Sequence, residues 1–403
     1  MIFKNRTSVL LRYILLLFFV SVFFAALSFA GRGIIKPYVE TGWQKDTNFH
    51  KSDKNTKTVD TFNAKGGVEL GYTTDKSQVF LDYYFNVLRY NDRDDLNLLD
   101  PEADSFDYTE HRANFTSQAQ VTDRLLIGLD DLFWRTRDPA NSDDFNNGND
   151  RYKYDLNRFT PRVTYQLGEK FSMGLKYDNL LLDYKDDGLL QGEDSTENKG
   201  TFVLSYYFNS STSFDLDYRI WKRDYDRSED YTANQFLARI NHQFNYVTLA
   251  AEAGYQKRDF DGDVNDNLDK FIWKLSALGE KPSETAGIPK HSMYMGFGSK
   301  LNDSGSDNSY YDALRLDVRL TYLFIEKINC TLSGYYQNSD YETTTRSDDR
   351  YYISLAADYL ITDYFSLGLQ GGTEDRNSNV VARDFNNSFI QINAKFNYNL
   401  GAK

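Results

Sequence analysis

From Gly31 onward the apolar residues recur with a period of two, not 3.6, and the alternation returns segment after segment. Period two marks strands with one apolar and one polar face, because successive side chains leave a pleated strand on opposite sides. In 78–90, Val79, Leu81, Tyr83, Phe85 and Val87 share one face, and Asp82, Tyr84 and Asn86 the other. In 213–225, Phe214, Leu216, Tyr218 and Ile220 lie opposite Asp215, Asp217, Arg219, Trp221 and Arg223. In 312–324, Leu314, Leu316, Val318, Leu320 and Tyr322 lie opposite Arg315, Asp317 and Arg319. The last such segment sets Ile390, Ile392, Ala394, Phe396, Tyr398 and Leu400 against Asn393, Lys395 and Asn397. A chain written this way folds into antiparallel sheet, and its fold class is all-β.

The connections alternate in length. Short turns fall at 73–77, 122–124, 168–170, 209–212, 245–246, 325–327 and 361–363. Between them lie longer Asp/Asn/Gly-rich loops at 91–105, 137–151, 185–196, 259–269, 302–309 and 373–384. Tight turns at one end and long loops at the other belong to transmembrane up-and-down β-barrels, and the alternating segments number about 18, within 16 to 18. At roughly 21 residues per strand plus connection, each strand exceeds the ~9–11 residues needed to cross a bilayer. A soluble sandwich or propeller would alternate too. Against it, the apolar face ends in aromatics at both edges, with Tyr72, Phe171, Phe208, Phe214, Phe244, Phe324, Tyr359, Phe365 and Tyr398 near the short turns and Trp43 and Tyr177 further up. That distribution is the interfacial girdle of a membrane barrel, and no blade motif repeats. Two stretches fit less well. The segment 125–136 changes phase near Asp130 and Asp131, which predicts a bulge or an exchange of faces, and 279–289 is too long for a tight turn.

Lys4, Arg6 and Arg12 precede an apolar run over 13–27, and Ser28-Phe29-Ala30 supplies small residues where a signal peptidase reads. Residues 1–30 are therefore expected to be a signal peptide, cut before Gly31, and 31–403 a single barrel domain. No Cys follows the cut, so a lipid anchor is not indicated. The barrel would insert from the periplasm into the outer membrane of a Gram-negative cell, with both termini periplasmic and the acidic loops outside. Loss of the leader removes three cations and no acid, leaving 43 Lys+Arg against 59 Asp+Glu, a net charge of -16. Such a chain is not built to hold nucleic acid phosphates. An aromatic share of 16% with only six Pro excludes a disordered chain. The one cysteine, Cys330, excludes an intramolecular disulfide framework.

Turning the apolar face to lipid places the other in the lumen. The expected lumen-lining residues are Arg112, Arg158, Arg162, Asp215, Asp217, Arg219, Trp221, Arg223, Arg239, Arg315, Asp317 and Arg319, interleaved with Asp82, Asp178, Glu252 and Asp358. Facing charges of both signs require water, since a dry core would desolvate each at several kcal/mol. Two uses stay open: a track on which tyrosines and Trp221 stack sugar rings, or mutual pairing that stiffens the wall. For catalysis the sequence offers little, because His50, His111, His242 and His291 are dispersed and no HExxH or Cys/His cluster exists. Residues 259–263 have the acidic spacing of a calcium loop, but Val264 replaces the needed Gly and Lys270 the bidentate acid. Cys330 falls on the lipid face. No enzyme activity, metal or cofactor is expected.

The opening Pro37-Tyr38-Val39-Glu40-Thr41-Gly42-Trp43-Gln44-Lys45-Asp46-Thr47-Asn48-Phe49, followed by a polar loop, the strand 62–72 and a tight turn, resembles the beta-barrel porin-2 type of outer-membrane protein. Thr47 separates Asp46 from Asn48, where that family usually has the two adjacent. The resemblance implies transport and an association with exopolysaccharide synthesis and export, and supplies no catalytic residues. The expected reading is an aqueous, porin-like conduit or a structural, surface-binding barrel that does not conduct. Its expected partners are outer-membrane lipids, the barrel assembly machinery and polysaccharide or periplasmic export components.

Overall fold

The computed structural model describes residues 31–54, 56–93, 102–137, 152–185, 193–282, 289–303, 310–342, 344–380 and 383–400. The leader expected at 1–30 and much of the loops 91–105 and 137–151 lie outside the described residues. Eighteen strands follow one another: β1 (Arg32–Asp46), β2 (Val59–Thr73), β3 (Ser77–Asp92), β4 (Tyr108–Thr122), β5 (Leu125–Thr136) and β6 (Tyr154–Leu167). Then come β7 (Phe171–Tyr184), β8 (Ser195–Asn209), β9 (Thr212–Tyr225), β10 (Tyr231–Gln243), β11 (Val247–Phe260) and β12 (Leu268–Lys281). The last six are β13 (His291–Asp303), β14 (Tyr310–Phe324), β15 (Ile328–Tyr341), β16 (Ser347–Leu360), β17 (Phe365–Ser378) and β18 (Phe385–Asn397). Each strand pairs antiparallel with its successor, and β1 pairs with β18 from Tyr38 opposite Asn397 to Asp46 opposite Phe389. The sheet is thus closed, as the repeat of alternation predicts, and closure leaves no unpaired strand edge.

Both β1 and β18 have their outer ends at the short-turn side. Tight turns there use special backbone: Gly168 has φ 78°, and Ile325 and Glu326 take φ 45° and 57°. Two positive φ values in succession give a hairpin turn the twist of its flanking strands. At the opposite end the strands run further than the bilayer requires. The stretch 373–378, expected as loop, is the end of β17 and pairs with β18 up to Arg376 opposite Phe385. Its side chains are polar on both faces because it projects past the membrane, so alternation gives no signal there.

The outward face carries the lipid belt. Phe202, Tyr218, Phe236, Tyr255 and Phe271 lie side by side in register across β8 to β12, and all five are exposed. One step further toward the long loops the outward residues become Asn234, Lys257 and Asp269. Toward the short turns the belt ends in exposed Phe208, Phe244, Tyr246 and Phe324. About nine residues separate Tyr246 from Tyr255; at ~3.3 Å per residue and a tilt of about 40° they rise roughly 23 Å. That matches the ~25 Å apolar band of outer-membrane barrels. Cys330, a free thiol, sits on this outer face beside Leu332 and Tyr322.

The phase change at Asp130 and Asp131 has no bulge behind it. Pairing with β4 and β6 runs unbroken through both residues, and the one irregularity on β4 lies between Gln120 and Thr122. Instead, Asp130 shares a face with Arg162, and Asp131 takes the opposite face, where Asn157 Nδ2 donates to it at 2.9 Å.

Candidate functional site on the interior wall

The face opposite the aromatic belt carries charge, and closure places those charges within reach of one another across strands. On β9 to β11, Asp217 is 3% exposed and accepts from Arg219 Nη2 at 2.9 Å and Arg239 Nη2 at 3.4 Å. Arg239 Nε in turn donates to Glu252 at 2.7 Å, and Asn241 donates to Asp215 at 2.9 Å. Arg219 also donates to Gln235 at 3.1 Å, and Gln235 to Gln256 at 3.1 Å. Three strands are laced this way, because residues opposite in register on an antiparallel pair have adjacent Cβ atoms.

The other expected wall residues fall as follows. Arg162 is ion-paired to Asp130. Arg315 reaches Asp317 at 2.9 Å and Gln337 at 2.9 Å, with its guanidinium 4.0 Å from the Tyr335 ring centroid. Arg112 lies over the Trp134 ring at 5.6 Å. Arg223 contacts Ser195 Oγ at 3.4 Å and lies over Tyr225 at 5.0 Å. Trp221 is 7% exposed, with the Lys199 ammonium 5.1 Å from its ring. Arg158 and Arg319 are exposed, and Arg319 borders a cavity of about 290 Å³ that Asp358 also lines. Tyr38 Oη donates to Asp82 at 3.0 Å, and Thr160 Oγ1 to Asp178 at 2.8 Å. The charges therefore stand mostly in pairs and short networks.

Two features escape a reading of alternation. One is a second charged knot at the long-loop end, where Glu374 accepts from Lys51 at 2.7 Å, Arg350 at 2.6 Å and Tyr335 at 2.8 Å. Lys51 belongs to the β1–β2 loop, so no strand pattern could have assigned it. The other is a set of dry clusters at the same end of the barrel. Phe49, Val59, Tyr90, Phe106 and Tyr108 pack together, as do Tyr154, Leu156 and Leu182, then Trp221, Tyr231 and Tyr310, then Tyr311 and Tyr341. The strand ends and the folded-in loops bury these rings against each other, so water is excluded locally although the wall below is charged. Among the described residues no group of His, Cys, Asp and Glu has the arrangement of a metal site, and the acidic stretch 259–263 holds none.

Neighbouring loops at that end are tied through carboxylates. Glu193 accepts from the backbone N–H of Arg227 and Ser228, and from Ser228 Oγ at 2.6 Å. Glu229, one residue further, accepts from Val264 N–H at 2.7 Å and from Asn265 N–H at 2.9 Å. These two carboxylates connect the β7–β8, β9–β10 and β11–β12 loops in series.

Residues 297–398 match the family described as Putative beta-barrel porin 2. The chain is a closed β-barrel whose last quarter is similar to that family. The match spans the last strands, whereas the resemblance noted above starts at the first, and the two agree. No curated protein sequence matches the chain. Among solved structures, OpdK of Pseudomonas aeruginosa, crystallised with vanillate, is 13% identical, with 91% of this chain and 99% of that chain covered and a TM-score of 0.48. OccAB4 of Acinetobacter baumannii is 12% identical, with 91% and 98% covered and a TM-score of 0.48. OccK8 (OprE) of Pseudomonas aeruginosa is 12% identical, with 92% and 100% covered and a TM-score of 0.48.

Proposed function

We propose that the barrel is an aqueous conduit across the outer membrane and serves as the outer-membrane component of exopolysaccharide secretion. The observation that carries the conduit is the interior wall of β9 to β11. Arg219, Arg239 and Glu252 there stay 29%, 31% and 21% exposed while networked around Asp217, and a dry interior would leave their remaining donors and acceptors unpaired. An 18-stranded wall also encloses more space than side chains can fill. For a polymeric sugar, amides and aromatic rings beside the charges are the useful complement: hydroxyls exchange hydrogen bonds with Gln235 and Gln256, while ring faces accept the C–H surface of a pyranose.

The dry clusters at the long-loop end favour a second reading, a barrel whose mouth is packed shut and which serves as a scaffold or surface-binding platform. Single-channel recording on the folded protein in planar bilayers separates the two. Discrete conductance steps, reduced when a soluble oligosaccharide is added on the short-turn side, support the conduit. Silence at all voltages, also after the β1–β2 loop is shortened, would leave the scaffold.

A further inference from the structure

A cavity of about 500 Å³ opens on the inner surface of β8 to β14, and among the described residues its lining holds seven Lys and Arg against three carboxylates. The carboxylates are already engaged: Asp317 with Arg315, Glu252 with Arg239, and Glu197 with Lys199 at 2.6 Å. One cation differs from the rest. Arg258 is 3% exposed, and its guanidinium packs against two rings, 4.4 Å from the centroid of Tyr231 and 4.9 Å from that of Tyr310. Among the described residues its Nε and Nη1 are buried and meet no hydrogen-bond acceptor. The amide Nδ2 of Asn302, which lines the same cavity, is likewise buried without an acceptor among the described residues. A buried donor left without an acceptor is costly, and a buried guanidinium more so than an amide. The two rings meet at 85° with their centroids 6.0 Å apart, so they cover one side of the guanidinium and leave its unpaired N–H bonds for a partner.

We propose that this cavity is a binding site for a carboxylate carried on a sugar ring, a uronate residue, with Arg258 receiving the carboxylate along its N–H edge and Asn302 donating to the same group. A planar carboxylate matches the guanidinium fork, which a hydroxyl does not. Trp221 of the lining presents apolar surface for the sugar ring, and Gln235 and Gln256 exchange hydrogen bonds with its hydroxyls. Lys274 adds positive charge nearby, its ammonium 5.9 Å from the Tyr294 ring. The inference deepens the conduit reading by naming the sugar class, and rests on it only in placing the cavity inside the barrel.

The test is a titration of the full-length folded barrel in detergent with glucuronate, read by tryptophan fluorescence, with glucose as the neutral control. Saturable quenching by glucuronate, weakened by added salt and absent with glucose, is expected. Arg258→Gln should weaken binding about tenfold or more, as loss of a charge-assisted hydrogen bond implies. Should that variant not fold, Asn302→Asp, which sets a carboxylate in the same cavity, should abolish glucuronate binding. Equal response to glucose and glucuronate, or a folded Arg258→Gln barrel that binds as the parent does, would overturn the site. Acetate that competes as well as glucuronate would overturn the sugar part of the assignment. Because binding is read without a membrane, a barrel that binds but carries no current refutes the conduit alone, and one that conducts without binding refutes the site alone.

Discussion

Glu229 accepts the backbone N–H of Val264 at 2.7 Å, across two loops that the sequence separates by an entire hairpin. Asn265 adds its N–H at 2.9 Å and its side-chain amide at 2.8 Å, and the Cα of Gly262 packs where a Cβ would stand 1.9 Å from Glu229 Oε1. Gly262 is thus needed for close approach rather than for its backbone freedom. Replacing Glu229 by Ala, or Gly262 by Ala, should release the 261–267 loop. The measurement is the rate of protease cleavage in that loop on folded barrel, expected to rise in both variants while the strands stay protected. An unchanged rate would mean the contact does not restrain the loop.

The same carboxylate makes the loop sensitive to pH. Burial works to raise its pKa, but the donated bonds from Val264 and Asn265 outweigh that and hold it below the usual glutamate value. A group whose folded pKa is depressed contributes stability that is present above its unfolded pKa, near 4.3, and is lost as pH falls through the lower folded value. The loop should therefore stay latched through mildly acidic solution and open only below about pH 4. A fluorophore on Asp263→Cys, in a Cys330→Ser background, should show its mobility rise in that acid window and not near neutrality.

Orientation can be read with the same cysteine. The 261–267 loop lies at the long-loop end and the 123–124 turn at the other. On intact cells a membrane-impermeant maleimide should label Asp263→Cys and spare Asp123→Cys, and opening the outer membrane should expose the second. Labelling of Asp123→Cys alone would invert the topology.

How far the sequence carries depends on where a residue sits along the barrel. Within the bilayer, lipid imposes one apolar face, so the partition of Phe214, Leu216 and Tyr218 from Asp215, Asp217 and Arg219 could be read directly. Beyond it no such rule holds: 373–378 of β17 is polar on both faces, and only its pairing with β18 reveals it as strand. Arg258 was invisible for another reason. β11 reads Ala250, Ala251, Ala253 and Gly254 along its middle, too small to mark a face, and what singles Arg258 out is Tyr310, three strands away. Tyr310 stands opposite Asp303 in the register of β13 with β14, near a loop, where the chain turns and parity no longer predicts direction. The dry clusters follow the same logic, since Phe49 and Phe106 come from loops that alternation does not govern.

The lipid face gives a quantitative prediction. Leu316 stands opposite Phe297, which stands opposite Leu275, and all three are exposed in the middle of the belt. Leu316→Arg should lower the stability of the folded barrel in bilayers by about 2–4 kcal/mol, as a cation near the midplane does. Arg315→Leu, one residue away on the other face, should cost less, since Asp317 keeps access to water. Reversible urea unfolding in lipid vesicles measures both. A larger loss for the Arg315 variant would mean that the two faces have been exchanged.

The interior charges set what a conducting barrel would pass. Asp217 is 3% exposed, and Arg219 and Arg239 converge on it, so Arg219 is held against the wall. Arg319 is exposed on the same face of the wall toward the short turns and borders the cavity that Asp358 and Asn393 also line. The two positions therefore differ in what a reversal of charge does. Arg319→Glu adds a carboxylate beside open solvent and should shift the reversal potential in a salt gradient toward cation selectivity, with little change in folding. Arg219→Glu sets a carboxylate against buried Asp217, and like charges at that spacing repel, so it should shift selectivity the same way while lowering stability. Planar-bilayer recordings and urea unfolding on the two single variants separate those effects. Selectivity unchanged in both would place the current-limiting constriction elsewhere, at the packed rings of the long-loop end, where neither charge is felt across a Debye length of ~8–10 Å.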